Sequence, residues 1–139
     1  MRAAAIDLDA VLGDTAPLWR AWLEDASRRF RVELSRETLD ERLPNWRPLL
    51  ERFAEEHAAV YLRPRGDANG ALRRLKAEGV RLGAFTSAPE PLARVAALQL
   101  GAARRLDALE AGPGALERLL AELGPDAVVV RSLEELAGL

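Results

Sequence analysis

Two aspartates carry the clearest chemical potential in this sequence. Asp7 and Asp9 lie two residues apart at the end of a short apolar run, in the stretch IDLDAVLGDT. Carboxylates this close repel each other, and both stay ionised only if a cation or several hydrogen bonds compensate their charge. A magnesium ion with oxygen ligands and a phosphate would do so. The alternative is a capping or turn role, for which Asp14 is equally suitable.

The elements around the pair indicate where it lies in the fold. Residues 3–6 form a short apolar run with polar neighbours, which is typical of a buried strand. Similar runs at 80–85, 106–109 and 127–130 each follow a segment with helical periodicity. This alternation predicts a Rossmann-like α/β fold with a parallel sheet. Such sheets bind ligands at the carboxyl ends of their strands, where Asp7 and Asp9 are expected to lie.

One segment interrupts the alternation. Residues 14–64 contain no convincing strand and show several helical patterns, with a start at Thr15 and a break at Pro44-Asn45. We therefore predict an α/β core of residues 1–13 and 65–139, with a helical cap of residues 14–64 inserted after the first strand. Trp19, Trp22 and Trp46 are expected to form the small core of this cap, and the alternative is a ligand cage.

Composition excludes several classes of function. The 139 residues carry 20 basic and 22 acidic side chains, interspersed along the chain, for a net charge of -2. This balance argues against nucleic acid and anionic membranes as partners and favours a small molecule. The chain has no cysteine, so disulfides and thiolate chemistry are excluded. No apolar stretch is long enough to span a bilayer, and a cytoplasmic location is expected.

The stretch Asp7-Leu8-Asp9-Ala10-Val11-Leu12 resembles the first motif of the haloacid dehalogenase-like (HAD) superfamily. The helical insertion resembles the cap of that family, and ALRRLKAEGVRLGAFT, residues 71–86, resembles the approach to its second motif. The resemblance implies hydrolysis of a small phosphorylated metabolite through an aspartyl phosphate on Asp7, with Asp9 as acid and base. It implies that Thr86, with Ser87 beside it, binds the phosphate.

The resemblance also implies a magnesium ion held by Asp7, the backbone of Asp9 and, more weakly, Glu135. Two positions depart from the family pattern. Glu110 stands where the third motif has a lysine, and Arg131 stands where the fourth motif has its metal-binding aspartate. The only lysine in the sequence, Lys76, falls in the middle of a predicted helix.

Both departures reverse a charge. We infer that Glu110 and Arg131 form an ion pair of swapped polarity, with Arg131 compensating Asp7 and Asp9 in place of lysine and magnesium. The alternative is that Glu110 and Arg131 are unrelated surface charges. Arg104 or Arg105 could instead replace the lost lysine.

Two functions therefore stay open. The first is a HAD-like phosphatase whose activity is weak or lost, and the second is a non-catalytic pseudo-phosphatase that acts as a binding or assembly module. The fold is common to both and does not choose between them. Strand 127–130 is expected at an edge of the sheet, where it would pair with a second copy in a homodimer or be covered by the terminal segment.

Overall fold

The computed structural model describes residues 2–139 and contains a parallel sheet of four strands. The strands are β1 (Ala3–Asp7), β2 (Arg81–Thr86), β3 (Ala108–Ala111) and β4 (Ala127–Val130). Their order is β3-β2-β1-β4, and all three pairings are parallel. The predicted α/β fold class with a parallel sheet is confirmed.

The third strand begins two residues later than the sequence pattern predicts. Asp107 donates its backbone N–H to the carbonyl of Leu82 at 2.7 Å, and its Oδ2 accepts the backbone N–H of Leu82 at 2.8 Å. A side chain therefore occupies the position that a ladder carbonyl would take. Regular pairing starts only at Ala108, opposite Gly83.

Seven helices connect and cover the strands. They are α1 (Ala16–Phe30), α2 (Leu39–Arg42), α3 (Trp46–Tyr61), α4 (Gly66–Ala77), α5 (Glu90–Gln99), α6 (Ala115–Leu123) and α7 (Leu133–Ala137). The first three lie between β1 and β2, and no strand interrupts them, as predicted for the insertion. None of the helices in residues 2–139 has the length and apolar character needed to cross a membrane.

Side chains alternate between the two faces of the sheet, and each face has its own buried cluster. Ala3 and Ala5 join α6 on one face, whereas Ala4 and Ile6 join the larger cluster on the other. Gly83 lets α6 approach closely, because a Cβ there would lie 2.5 Å from Cδ1 of Leu119. Both faces of the sheet are thus covered, whereas the carboxyl and amino ends of its strands are open.

The tryptophans pack together, but they do not form a separate core. The rings of Trp19 and Trp22 stack with centroids 5.6 Å apart, and Trp46 lies 6.4 Å from Trp22. Trp22 and Trp46 belong to the same buried cluster as Ile6 of the sheet. The insertion therefore shares one apolar core with the sheet, and its division into a distinct cap domain stays a prediction.

The outer edge of β4 has no neighbouring strand in residues 2–139, since β4 pairs with β1 alone. Val128 on this strand is 48% exposed. The predicted edge position is therefore observed. A homodimer through this edge stays a prediction.

Candidate active site

A tight turn presents the two aspartates at the carboxyl edge of the sheet. The chain leaves β1 at Asp7 and immediately forms one π-helical turn, Leu8–Leu12. Apolar side chains of this turn, including Leu8 and Val11, are fully buried and anchor it to the core. Asp7 caps the turn, with Oδ1 accepting the N–H of Ala10 at 3.2 Å. Part of the capping alternative is thus realised, although the Oδ2 atom of Asp7 makes a different contact, described below.

Asp9 lies among hydrogen-bond donors. Its Oδ1 accepts the backbone N–H of Thr15 at 2.8 Å and the Thr15 hydroxyl at 2.6 Å, and its Oδ2 accepts the Thr86 hydroxyl at 2.5 Å. Thr15 and Thr86 are the buried polar residues of the described chain, with 3% and 2% exposure. Three donors therefore stabilise the Asp9 carboxylate without any cation.

Arg131 compensates the charge of the Asp7 carboxylate. Its Nη1 lies 3.6 Å from Oδ2 of Asp7, and its guanidinium carbon lies 5.5 Å from the ring centroid of Phe85. The backbone N–H of Arg131 donates to Oε2 of Glu135 at 3.2 Å, and the N–H of Glu135 donates to Oγ of Ser132 at 3.1 Å. This reciprocal arrangement caps α7 and directs Arg131 toward the cleft.

The predicted ion pair between Glu110 and Arg131 is wrong. Oε1 of Glu110 lies 2.9 Å from Nε of Arg118, and the same guanidinium donates to the carbonyls of Ala111 and Pro113 at 2.6 Å each. The physical reason is the strand order. Glu110 belongs to β3 and Arg131 follows β4, and these strands form opposite edges of the sheet.

A cleft of about 570 Å³ opens at the carboxyl edge above the aspartates. Its charged lining residues are Asp7, Asp9, Asp14, Glu117, Arg36 and Arg131. The loop Gly112-Pro113-Gly114 and the first turn of α6 form one wall, and Trp19 belongs to the lining as well. Glu110 is not part of this lining, so the negative charge at the third-motif position does not face the aspartates.

Sequence reasoning missed Arg36. This residue follows Ser35 in the insertion, lines the cleft, and donates from Nη2 to the backbone carbonyl of Ser87. It is ion-paired with no carboxylate in residues 2–139. Its positive charge is therefore available to a ligand. Nothing in the sequence distinguishes Arg36 from the other arginines, because its position depends on how the insertion folds back over β2.

The two residues predicted to bind phosphate both line the cleft, in different states. The Thr86 hydroxyl gives its single proton to Asp9 and accepts the N–H of Ala88 at 3.2 Å. The Ser87 side chain is exposed, and its hydroxyl has no hydrogen-bond partner within residues 2–139. Ser87 is thus the hydroxyl ready to donate to a ligand, whereas Thr86 first has to release Asp9.

Other candidates lie elsewhere. Lys76 is ion-paired with Asp107, 3.0 Å from Nζ to Oδ1, and neither Arg104 nor Arg105 belongs to the cleft lining. His57 packs against Phe53 with ring centroids 4.2 Å apart and the rings tilted by 40°, in a groove between α1 and α3. None of these residues replaces the missing lysine.

The residues present do not fit a resident magnesium ion. Of the predicted ligands, Oδ2 of Asp7 already faces a guanidinium and Glu135 caps α7, so the backbone of Asp9 would bind the ion without either side chain. No group of three or more acidic, histidine or cysteine side chains in residues 2–139 is arranged to hold a metal. Magnesium requires close octahedral oxygen ligands, and an arginine cation at this position opposes it.

Comparison with solved structures identifies the fold. The chain is similar to a candidate beta-phosphoglucomutase from Thermotoga maritima, with 23% identity, a TM-score of 0.60, and coverage of 93% of this chain and 75% of that one. It is also similar to CbbY from Rhodobacter sphaeroides in complex with phosphate, with 18% identity, a TM-score of 0.64, and coverage of 99% and 83%. Neither a protein-family model nor a curated protein sequence matches the chain. The chain therefore shares the α/β fold of these two proteins, as predicted.

Proposed function

We propose that this chain is a HAD-like hydrolase that binds a phosphomonoester of a small metabolite in the cleft and transfers its phosphoryl group to Asp7. The observation that carries the proposal is the pair of guanidinium groups, Arg36 and Arg131, that line the same cleft as Asp7. A carboxylate is a weak nucleophile toward a phosphate dianion, and positive charge on both sides reduces their repulsion.

Asp7 has the position that the nucleophile needs. Its Oδ1 is held by Ala10, so its Oδ2, beside Arg131, is the atom that faces the ligand. In the proposed reaction Oδ2 forms a bond to phosphorus while the ester P–O bond breaks. The leaving oxygen takes a proton, and water then hydrolyses the aspartyl phosphate. No step of this scheme is routed through a metal.

Asp9 is proposed to deliver and later recover that proton, and Thr86 provides the means. A protonated Oδ2 of Asp9 becomes a donor, so the Thr86 hydroxyl, 2.5 Å away, then accepts and turns its own proton toward the cleft. As the proton of Asp9 passes to Thr86, the Thr86 proton passes to the leaving oxygen, and the attacking water later returns a proton to Asp9 by the same path. The exchange would bring Thr86 into contact with the phosphate, although its proton is committed to Asp9 in the structure.

The second candidate is a phosphate-binding module without turnover. It is favoured because both carboxylates are already compensated. Arg131 pairs with Asp7, and three hydrogen-bond donors contact Asp9. Such a pair holds a ligand in place but is less reactive than an unpaired carboxylate.

A steady-state assay with an aryl phosphate separates the two candidates. The wild-type chain is compared with Asp7→Asn, and with Asp126→Asn as the same substitution at an exposed carboxylate outside the cleft, both with and without magnesium. Hydrolysis predicts turnover that Asp7→Asn abolishes and Asp126→Asn retains. Turnover equal to the Asp7→Asn background contradicts hydrolysis, and phosphate binding without turnover then supports the second candidate.

A further inference from the structure

We propose that this cleft binds a phosphate group without a divalent cation, with Arg131 occupying the role of the cation and Arg36 contacting the phosphate from the opposite wall. The inference rests on the proposed function for the class of ligand, a phosphate or phosphomonoester. It goes beyond that function in assigning the charge compensation to two named arginines and in excluding a metal requirement.

Arg131 is held beside Asp7. Its side chain pairs with Asp7 and lies over the face of Phe85, and the cap between its backbone N–H and Glu135 holds the adjoining turn. A magnesium ion bound to Asp7 would lie about 2.0 to 2.1 Å from Oδ2. At that position the ion would face the guanidinium across only a few ångströms, and the two cations would repel each other.

The positive charge of Arg36 is not paired with any carboxylate in residues 2–139. The hydrogen bond that its side chain makes within residues 2–139 is to the neutral carbonyl of Ser87, and the exposed Ser87 residue directly follows β2. A guanidinium offers paired N–H donors that match two oxygens of a phosphate. Arg36 and Ser87 would therefore bind phosphate oxygens on the side of the insertion, and Arg131 would bind them on the side of β4.

Part of the negative charge in the cleft lining is compensated within the chain. Asp9 is satisfied by three donors, and Oδ1 of Asp14 accepts the N–H of Ala16 at 3.0 Å. Asp7 is paired with Arg131. The carboxylates nearest the sheet are thus compensated from within the chain. Glu117 and Arg36 are the remaining charges of the lining without an ion-pair partner in residues 2–139, and Arg36 is the one that attracts an incoming anion.

Calorimetric titration with inorganic phosphate tests the inference, in EDTA and again in excess magnesium. The proteins are wild type, Arg131→Gln, Arg131→Asp and Arg73→Asp, the last being an exposed arginine on α4 away from the cleft. Circular dichroism melting verifies that each variant is folded. Arg131 is 56% exposed at its side chain, so these substitutions leave the core intact.

The expected result is that wild type and Arg73→Asp bind phosphate equally well with and without magnesium. Arg131→Gln should bind about 10- to 100-fold more weakly in EDTA, the loss of one charge-assisted contact. Arg131→Asp should lose phosphate binding in EDTA and regain it with magnesium, because the substitution converts the cation into a metal ligand. A wild-type affinity that rises about tenfold or more with magnesium overturns the inference, as does undiminished binding by Arg131→Gln in EDTA.

The inference and the proposed function fail in different ways. Metal-free phosphate binding without turnover contradicts hydrolysis but supports the two-arginine site. Turnover that requires magnesium and is abolished by Asp7→Asn supports hydrolysis but overturns the two-arginine site.

Discussion

Nη1 of Arg131 lies 3.6 Å from Oδ2 of Asp7, and the register of two strands is the reason. Ile6 of β1 pairs with Val130 of β4, so the residues that follow them, Asp7 and Arg131, lie side by side. An arginine just after one strand therefore meets the carboxylate that ends the neighbouring strand. The charge of Asp7 is therefore compensated from within the chain.

Arg36→Gln is expected to weaken phosphate binding by about tenfold, because the cleft loses one charge-assisted donor pair. The fold should be unaffected, since Arg36 is exposed and its recorded contact is with the carbonyl of Ser87. Titration with inorganic phosphate measures the effect. Arg20→Gln, an exposed arginine of the same insertion that does not line the cleft, is the matched control. Equal affinities of the two variants would remove Arg36 from the site.

Thr86→Val is expected to lower the free energy of unfolding by about 1 to 3 kcal/mol. The substitution leaves Oδ2 of Asp9 and the N–H of Ala88 without their partner at a position that is 2% exposed. Thr86→Ser keeps the hydroxyl and should cost less. Urea denaturation compares the three proteins, and a Val variant as stable as the Ser variant would show that the hydroxyl is not needed to hold Asp9.

Gly83→Ala is expected to destabilise the fold by about 1 to 3 kcal/mol, the usual cost of overpacking. The added Cβ would lie 2.5 Å from Cδ1 of Leu119 and would push α6 away from β2. Gly70→Ala in α4 is the control, because nothing lies within 4 Å of its added Cβ. That change should stabilise the chain by about 0.4 to 1 kcal/mol by restricting the unfolded state. Denaturant melts that rank the two variants in the reverse order would contradict the observed packing of α6.

Asp107 is expected to make stability depend on pH. The N–H of Leu82 lowers the pKa of the Asp107 carboxyl below its ordinary value of 3.8; burial opposes the shift, and Lys76 adds to it. A carboxyl whose pKa is depressed in the folded state stabilises the fold above the pKa of the unfolded chain. It loses that contribution as the pH falls through the folded value.

Asp107→Asn should therefore be less stable than wild type at neutral pH, and the gap should close as the pH falls below about 3.8. Urea denaturation at several pH values measures the gap. Asp126→Asn, which alters an exposed carboxylate with no recorded partner in residues 2–139, serves as control. A gap that stays constant down to acid pH would show that the Asp107 contacts carry no net charge effect.

Much of the fold follows from local pattern. Apolar runs bounded by polar residues located β1 and β4, and the helical spacing of the insertion predicted α1 and α3. These elements are predictable because burial of an apolar face imposes a period that is visible in the sequence. The start of β3 was not predictable in this way, because the Asp107 side chain takes the place of a ladder carbonyl.

The candidate site, like the fold, was only partly predictable from the sequence. The sequence by itself determined that Asp7 and Asp9 lie where one strand ends and that Thr86 ends another, and parallel packing then brings all three to one edge. Only the tertiary structure decided which charges meet. The family resemblance predicts that Glu110 and Arg131 pair, yet the strand order places them at opposite edges of the sheet. Arg36 reaches the cleft from the helical insertion. Charge pairing depends on distance in space, and local sequence patterns carry no measure of that distance.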